Sequence, residues 1–215
     1  MRKTAGLETF KILQNGVTVN IINSGALPAP AAFLSPAEIK KYNSFKIPKR
    51  KADWLGGRYA AKTLLAAVMR RKDPVNIEIG CDDYGRPRAA GFAISISHSG
   101  ALPLAAIKPG GGDFIGADIE IIEDRCAAWY ADYFAPGELG GNDPSEATKL
   151  WTVKEAALKA LGLGLRADLR DARFENGTVR FHGAALERYR TLGSPASAVS
   201  SFLYNKVFWV TAVSA

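Results

Sequence analysis

The segment Phe114–Ile122, FIGADIEII, narrows what this chain can fold into more than any other. Apolar residues fill it almost without interruption, the pattern of a strand covered on both faces. Side chains alternate along a strand, so Asp118 and Glu120 share one face, and Gly116 leaves space on that face. Two adjacent carboxylates in an apolar setting repel each other and resist ionising. A divalent cation removes both difficulties. Mg²⁺ suits such hard oxygen ligands because it completes its octahedron with water and substrate phosphate. The competing reading is an edge strand with solvated acids, and Phe114, Ile115, Ile119, Ile121 and Ile122 argue against it.

The helix expected over SEATKLWTVKEAALKALG, with Ser145 as N-cap and Gly162 as its stop, adds Glu155 and Lys159. They stand one turn apart and share a helical face. A surface pair of this kind contributes only about 0.3–0.5 kcal/mol. This helix, however, is apolar around much of its circumference, so the pair is expected to face a site.

A second polar interruption ends another strand, AISISHSGAL. Ile94 and Ile96 alternate with Ser95 and Ser97, and Ser97-His98-Ser99 precedes Gly100. A nucleophile with its base, a phosphate clamp and a polar strand end are all open readings of this triplet. Serine-hydrolase chemistry fits poorly, because the chain has no G-x-S-x-G elbow.

Elsewhere, TVNIINS and NIEIGC read as strands and DDYGRPR as a turn. SPAEIKKYNSF reads as a helix capped by Ser35 with Pro36 first. KADWLGGRYAAKTLLAAVMRRK reads as a long helix with cations at its C-terminal end, stopped by Asp73-Pro74. PGELGG is expected to start a short helix, ARFENGTVRFHG to form a hairpin around Asn176-Gly177, and NKVFWVTAV to be a strand. PAEI (36–39) is echoed by PGEL (136–139), and LGGRYAA (55–61) by WTVKEAA (151–157). The fold class is α+β, in two similar α+β lobes, an N-terminal half 1–110 and a C-terminal half 111–215. The seam is expected in KPGGGD, Lys108–Asp113.

Composition bounds the rest. The 215 residues suffice for one large domain or two small ones, and no apolar run approaches the ~20 residues of a membrane span. The opening MRKTAGLETFKILQNG lacks the apolar core of a signal peptide, and Cys81 and Cys126 are isolated, so a cytoplasmic protein with reduced thiols and no zinc is expected. The net charge of +7 points to a polyanionic partner or to a solvated basic surface.

GRP (85–87), ISISHSG, GADIE and LWTVKEAALKALGLGL, in that order, resemble the 4′-phosphopantetheinyl transferase superfamily in its larger, Sfp-type, pseudo-dimeric form. The resemblance covers roughly Gly85 to Leu165 and extends loosely upstream. It implies transfer of the phosphopantetheine arm of coenzyme A to a serine of an apo acyl or peptidyl carrier protein, with release of 3′,5′-ADP. It implies Mg²⁺, with Mn²⁺ as a substitute, bound by Asp118, Glu120 and Glu155. Glu155 would take the serine proton, directly or through water, and Lys159 would stabilise or protonate the departing phosphate. Arg58, Arg86 and His98 match positions holding the coenzyme 3′-phosphate. Gly85, Pro87, Ser97 and Ser99 lie beside them, and Lys62 shares the helical face of Arg58. The resemblance further implies a cleft between the halves, an acidic carrier-protein partner, a monomer, and neither nucleic acid nor membrane. The alternatives are a Mg²⁺-dependent nuclease or phosphodiesterase, and a non-catalytic carrier-binding module.

Overall fold

The computed structural model describes residues 9–110, 112 and 114–215. The first eight residues, and Gly111 and Asp113 of the expected seam, lie outside the described residues. The first elements are β1 (Thr9–Ile12), β2 (Thr18–Ile21), α1 (Pro36–Ser44), α2 (Pro48–Val68), β3 (Gly80–Cys81), β4 (Pro87–Arg88), β5 (Phe92–Ser99) and β6 (Leu102–Pro109). They are followed by β7 (Ile115–Ile121), α3 (Ala127–Tyr133), α4 (Pro144–Ala160), β8 (Ala172–Glu175), β9 (Thr178–Phe181), α5 (Gly183–Thr191), β10 (Ala198–Tyr204) and β11 (Phe208–Ser214). The mixture is α+β, as expected.

Two antiparallel sheets organise the chain, one ordered β1-β2-β6-β5 and the other β10-β11-β7. Alternation assigns their faces. Ala105 and Ile107 pack with Ala60, Leu64 and Leu65 of α2. Leu104 and Ala106 point the other way and share a core with Ile115, Ala117, Ile119, Val210 and Ala212 of the second sheet. Helix α4 covers the remaining face of β7 and β11. The layers therefore run helix, sheet, sheet, helix.

The two sheets also meet edge to edge along β5 and β7, where serine hydroxyls replace backbone ladder bonds. Ser95 Oγ accepts from the Ala117 N–H at 2.9 Å, and Ser99 Oγ from the Ile121 N–H at 3.2 Å. The partners advance together, so the strands run parallel. Close approach at the helices depends on glycine. A Cβ on Gly116 would stand 1.8 Å from the Ala156 carbonyl oxygen of α4, and one on Gly57 would stand 2.7 Å from Ile96. The space that the sequence leaves at Gly116 is thus filled by helix backbone.

The order strand, two helices, two-stranded ribbon, hairpin occurs twice: β2, α1, α2, β3–β4, β5–β6, then β7, α3, α4, β8–β9, β10–β11. A buried ion pair recurs with it. Lys62 pairs with Glu38 and donates to the Phe33 carbonyl at 2.8 Å and the Val75 carbonyl at 3.3 Å. Lys154 pairs with Glu138 at 2.8 Å and donates to the Tyr133 carbonyl at 3.1 Å and the Leu169 carbonyl at 3.3 Å. Lys62 therefore corresponds to Lys154, one helical turn away from the register expected from LGGRYAA and WTVKEAA, which set Arg58 opposite Lys154.

Ser35 caps α1 in a capping box, and both Asn176 and Gly177 take positive φ in the β8–β9 turn, as expected. Several local expectations need correction. Helix α2 starts at Pro48 and ends at Val68, so the cations of MRRK lie beyond it. Asp143, not Ser145, caps α4, with Pro144 at the first helical position. Only Gly80 and Cys81 of NIEIGC are strand. PGELGG forms turns, and the helix of that region is α3, upstream of it. Among the described residues, no helix is long and apolar enough to cross a membrane.

Candidate active site

Strand β7 turns Gly116, Asp118 and Glu120 toward α4, and α4 presents Glu155 and Lys159 one turn apart. Lys159 Nζ lies 2.6 Å from Asp118 Oδ1 and donates to Ser97 Oγ at 2.8 Å. The Ser97 hydroxyl in turn donates to Asp118 Oδ1 at 2.6 Å. Ser99 Oγ is 3.2 Å from Glu120 Oε2. The helix, the second sheet and the edge of the first sheet thus meet at one polar cluster.

Asp118 is 2% exposed and Glu155 4%. Burial pushes the Glu155 carboxyl up to about 7, with Lys159 pulling it down and Asp118 adding to the rise. Burial likewise pushes Glu120 up to about 7, reinforced by Asp118 and opposed by Ser99 and Lys159. Burial alone would lower Lys159, but the Asp118 and Glu155 carboxylates outweigh it and hold the ammonium above the ordinary lysine range. The cluster is rich in acid and poor in cation.

Mg²⁺ can be tested against these residues. Among the described residues, Asp118 Oδ2 and Glu155 Oε1 are buried without a hydrogen-bond partner. Orphaned carboxylate oxygens, hard donors and carboxyl groups that resist ionising all fit a hard divalent cation. The acids do not close into a preformed cage, however. Among the described residues no three His, Cys, Asp or Glu side chains stand together as a metal-binding group.

A cavity of about 590 Å³ opens above Lys159. Its walls come from β5 (Ile94–Ile96), the turn and strand Tyr84–Pro87, and the loop Gly162–Gly164 that follows α4. Arg50, Arg86, Lys159 and Arg166 give it four cations. Arg86 is steadied by Asp82, Nε to Oδ2 at 2.8 Å, and lies against Gly162. Gly85 has φ +78°, which sets the turn that brings Arg86 and Pro87 to the wall. Arg166 donates to the Tyr84 carbonyl at 2.8 Å and the Gly162 carbonyl at 3.0 Å, closing one end.

The expected residues divide accordingly. Gly85, Arg86, Pro87 and Lys159 line this cleft, and Lys159 connects it to Ser97, Asp118, Glu120 and Glu155 behind it. Arg58 faces an adjoining cavity of about 210 Å³. His98 is separated from its serine neighbours by strand alternation; its Nε2 lies 3.0 Å from Asp53 Oδ2 on α2. Lys62 is fully buried with its ammonium engaged, so it holds the fold and does not reach the cleft. Arg50, Tyr84 and Arg166 are lining residues that motif reading missed. One signal was present: Lys49, Arg50 and Lys51 crowd the first turn of α2, where cations oppose the helix dipole and an anion would relieve them.

Residues 114–198 match the family model of the 4′-phosphopantetheinyl transferase superfamily. That stretch, which carries Asp118, Glu120, Glu155 and Lys159, is therefore similar to the superfamily's domain. The chain is 29% identical over 161 residues to a Synechocystis sp. protein provisionally named a 4′-phosphopantetheinyl transferase, covering 66% of this chain and 63% of the relative. It is 28% identical over 161 residues to a phosphopantetheinyl transferase of Thraustochytrium sp., covering 63% of this chain and 54% of the relative. In both cases the chain spans less than two thirds of the relative's length.

Proposed function

We propose that this protein transfers the 4′-phosphopantetheine arm of coenzyme A to a serine of an acidic acyl or peptidyl carrier protein, in a Mg²⁺-dependent reaction that releases 3′,5′-ADP. The observation that carries the reading is Lys159. It stands at the floor of a cation-lined cleft and touches the buried acid cluster with the same ammonium. A phosphate in the cleft would meet a fixed positive charge, with acids immediately behind it.

Asp118, Glu120 and Glu155 would hold Mg²⁺, which supplies charge neutralisation at the coenzyme pyrophosphate. The chain's own groups do the rest. The carrier serine oxygen forms a bond to the pantetheine-bearing phosphorus as the bond to 3′,5′-ADP breaks. Glu155, buried beside Lys159 at the edge of the cleft, takes the serine proton. Lys159, paired with Asp118 at the floor of the cleft, supplies positive charge to the leaving phosphate. Arg86 and Arg166 orient the coenzyme phosphates from the wall. Residues 1–110 supply most of the cleft and 111–215 the acids, so one chain contains the site and a cytoplasmic monomer suffices. The charge of +7 suits an acidic carrier.

The test is incubation with coenzyme A, Mg²⁺ and a set of apo carrier proteins, read by mass spectrometry. One phosphopantetheine is expected on a single carrier serine, and Glu155→Gln should slow transfer by about 10² or more while the fold persists. A Glu155→Gln protein turning over at the wild-type rate would remove the acid from the mechanism.

A further inference from the structure

We propose that Cys81 is a modification site that forms a mixed disulfide with small anionic disulfides, and that the adduct obstructs the neighbouring cleft. Cys81 ends β3 and is exposed, with a free thiol. Arg58 Nη2 lies 3.9 Å from its sulfur. This arginine is itself only 6% exposed, and among the described residues its Nη1 is buried with no hydrogen-bond partner. The nearest carboxylate, Glu38, is 3.9 Å from Arg58 Nε and is already paired with Lys62. A buried guanidinium whose nearby carboxylate is shared with Lys62 is under-compensated, and a carboxylate in the cavity it lines would be drawn to it.

Sulfur and guanidinium share one cavity of about 210 Å³, with Trp54 as part of its wall. That volume admits the arm of a small molecule and not a protein segment. The remaining wall, Gly85, Pro87 and Ile96, also lines the larger cleft. A ligand whose carboxylate reaches Arg58 therefore places its disulfide at Cys81 and its bulk against the Gly85–Pro87 wall. The exchange balances without a further reagent. The Cys81 sulfur attacks one sulfur of the incoming disulfide, forming Sγ–S as the original S–S bond breaks. The displaced half departs as a thiolate and takes the proton released by Cys81, so Cys81 is oxidised as that half is reduced.

The full chain is treated with glutathione disulfide (anionic), 2-hydroxyethyl disulfide (neutral) or cystamine (cationic), and the adducts are mapped by mass spectrometry. Cys126, also exposed, serves as the internal comparison. Glutathione disulfide is expected to label Cys81 about tenfold faster than Cys126, and faster than the other two reagents label Cys81. In Arg58→Met this preference for the anionic reagent should vanish. If that variant does not fold, the same charge preference is read from the wild type, as salt that slows labelling by glutathione disulfide and not by the neutral reagent. Equal labelling of both cysteines, or a rate blind to reagent charge, overturns the proposal. A second arm rests on the proposed function. The adduct should weaken coenzyme A binding by calorimetry about tenfold, reversibly with dithiothreitol, and Cys81→Ser should escape the effect. Selective labelling of Cys81 in a protein that binds no coenzyme A when reduced would overturn the functional reading and leave the modification site standing.

Discussion

At the scale of single residues, the titration of Glu120 and Glu155 is the most direct handle on the site. Both are raised to about 7 from an ordinary 4.5, so the folded protein holds these protons more tightly than the unfolded chain. The sign follows from linkage. Their contribution to stability is complete below the ordinary value and is lost as pH rises through the folded value near 7. Without divalent ions, Glu120→Gln should therefore gain thermal stability relative to wild type between pH 5 and pH 8. Added Mg²⁺ should shrink that gain at pH 8, because a cation favours the ionised carboxylate. Melting curves at both pH values check this, and an unchanged difference would mean that the pair does not carry the strain. Some of these residues are legible from local pattern alone. GADIE places two acids on one face, and W-x-x-K-E-A-x-x-K places Glu155 and Lys159 on another. His98 and Lys62 were not, because their destinations depend on what α1 and α2 bring to them: Asp53 for the imidazole, and Glu38 with two carbonyls for the ammonium.

At the scale of elements, the contact between β7 and α4 sets the geometry of the acid cluster. A Cβ at Gly116 would enter the backbone of Ala156, so Gly116→Ala must push the helix outward and carry Glu155 and Lys159 with it. A stability loss of about 3 kcal/mol is expected from such overpacking, with loss of transfer, measured by denaturant titration and the mass assay. The Lys154–Glu138 pair offers a second test. Both side chains are almost fully buried, so Lys154→Met leaves an unpaired carboxylate and should cost about 3–5 kcal/mol. Lys154→Met combined with Glu138→Leu should recover most of that loss; a double variant no better than the single would show that the carbonyl contacts of Lys154 matter more than its charge. Elements with local signals were readable: the Ser35 cap, the Asn-Gly hairpin and the Gly162 stop. Helix α3 was not. Its residues Trp129, Tyr130 and Tyr133 gather around Trp151 and Phe134, and that aromatic packing depends on tertiary contact rather than on period or cap.

At the scale of the molecule, the surplus of positive charge should govern encounter more than chemistry. Raising salt is expected to increase the apparent KM for an acidic carrier while leaving kcat nearly constant, checked by initial rates across ionic strength. A KM indifferent to salt would remove steering from the account.

The serine seam between β5 and β7 has a consequence for how the cleft can change over time. A backbone ladder is nearly indifferent to side-chain identity, so sequence drift leaves it intact. Here the stitching at Ser95 and Ser99 is written in side chains, and single substitutions can loosen or tighten it one contact at a time. Ser95 also lines the cleft, whereas Ser99 touches Glu120, so an edit at one end of the seam reaches the cleft wall and an edit at the other reaches the acid cluster.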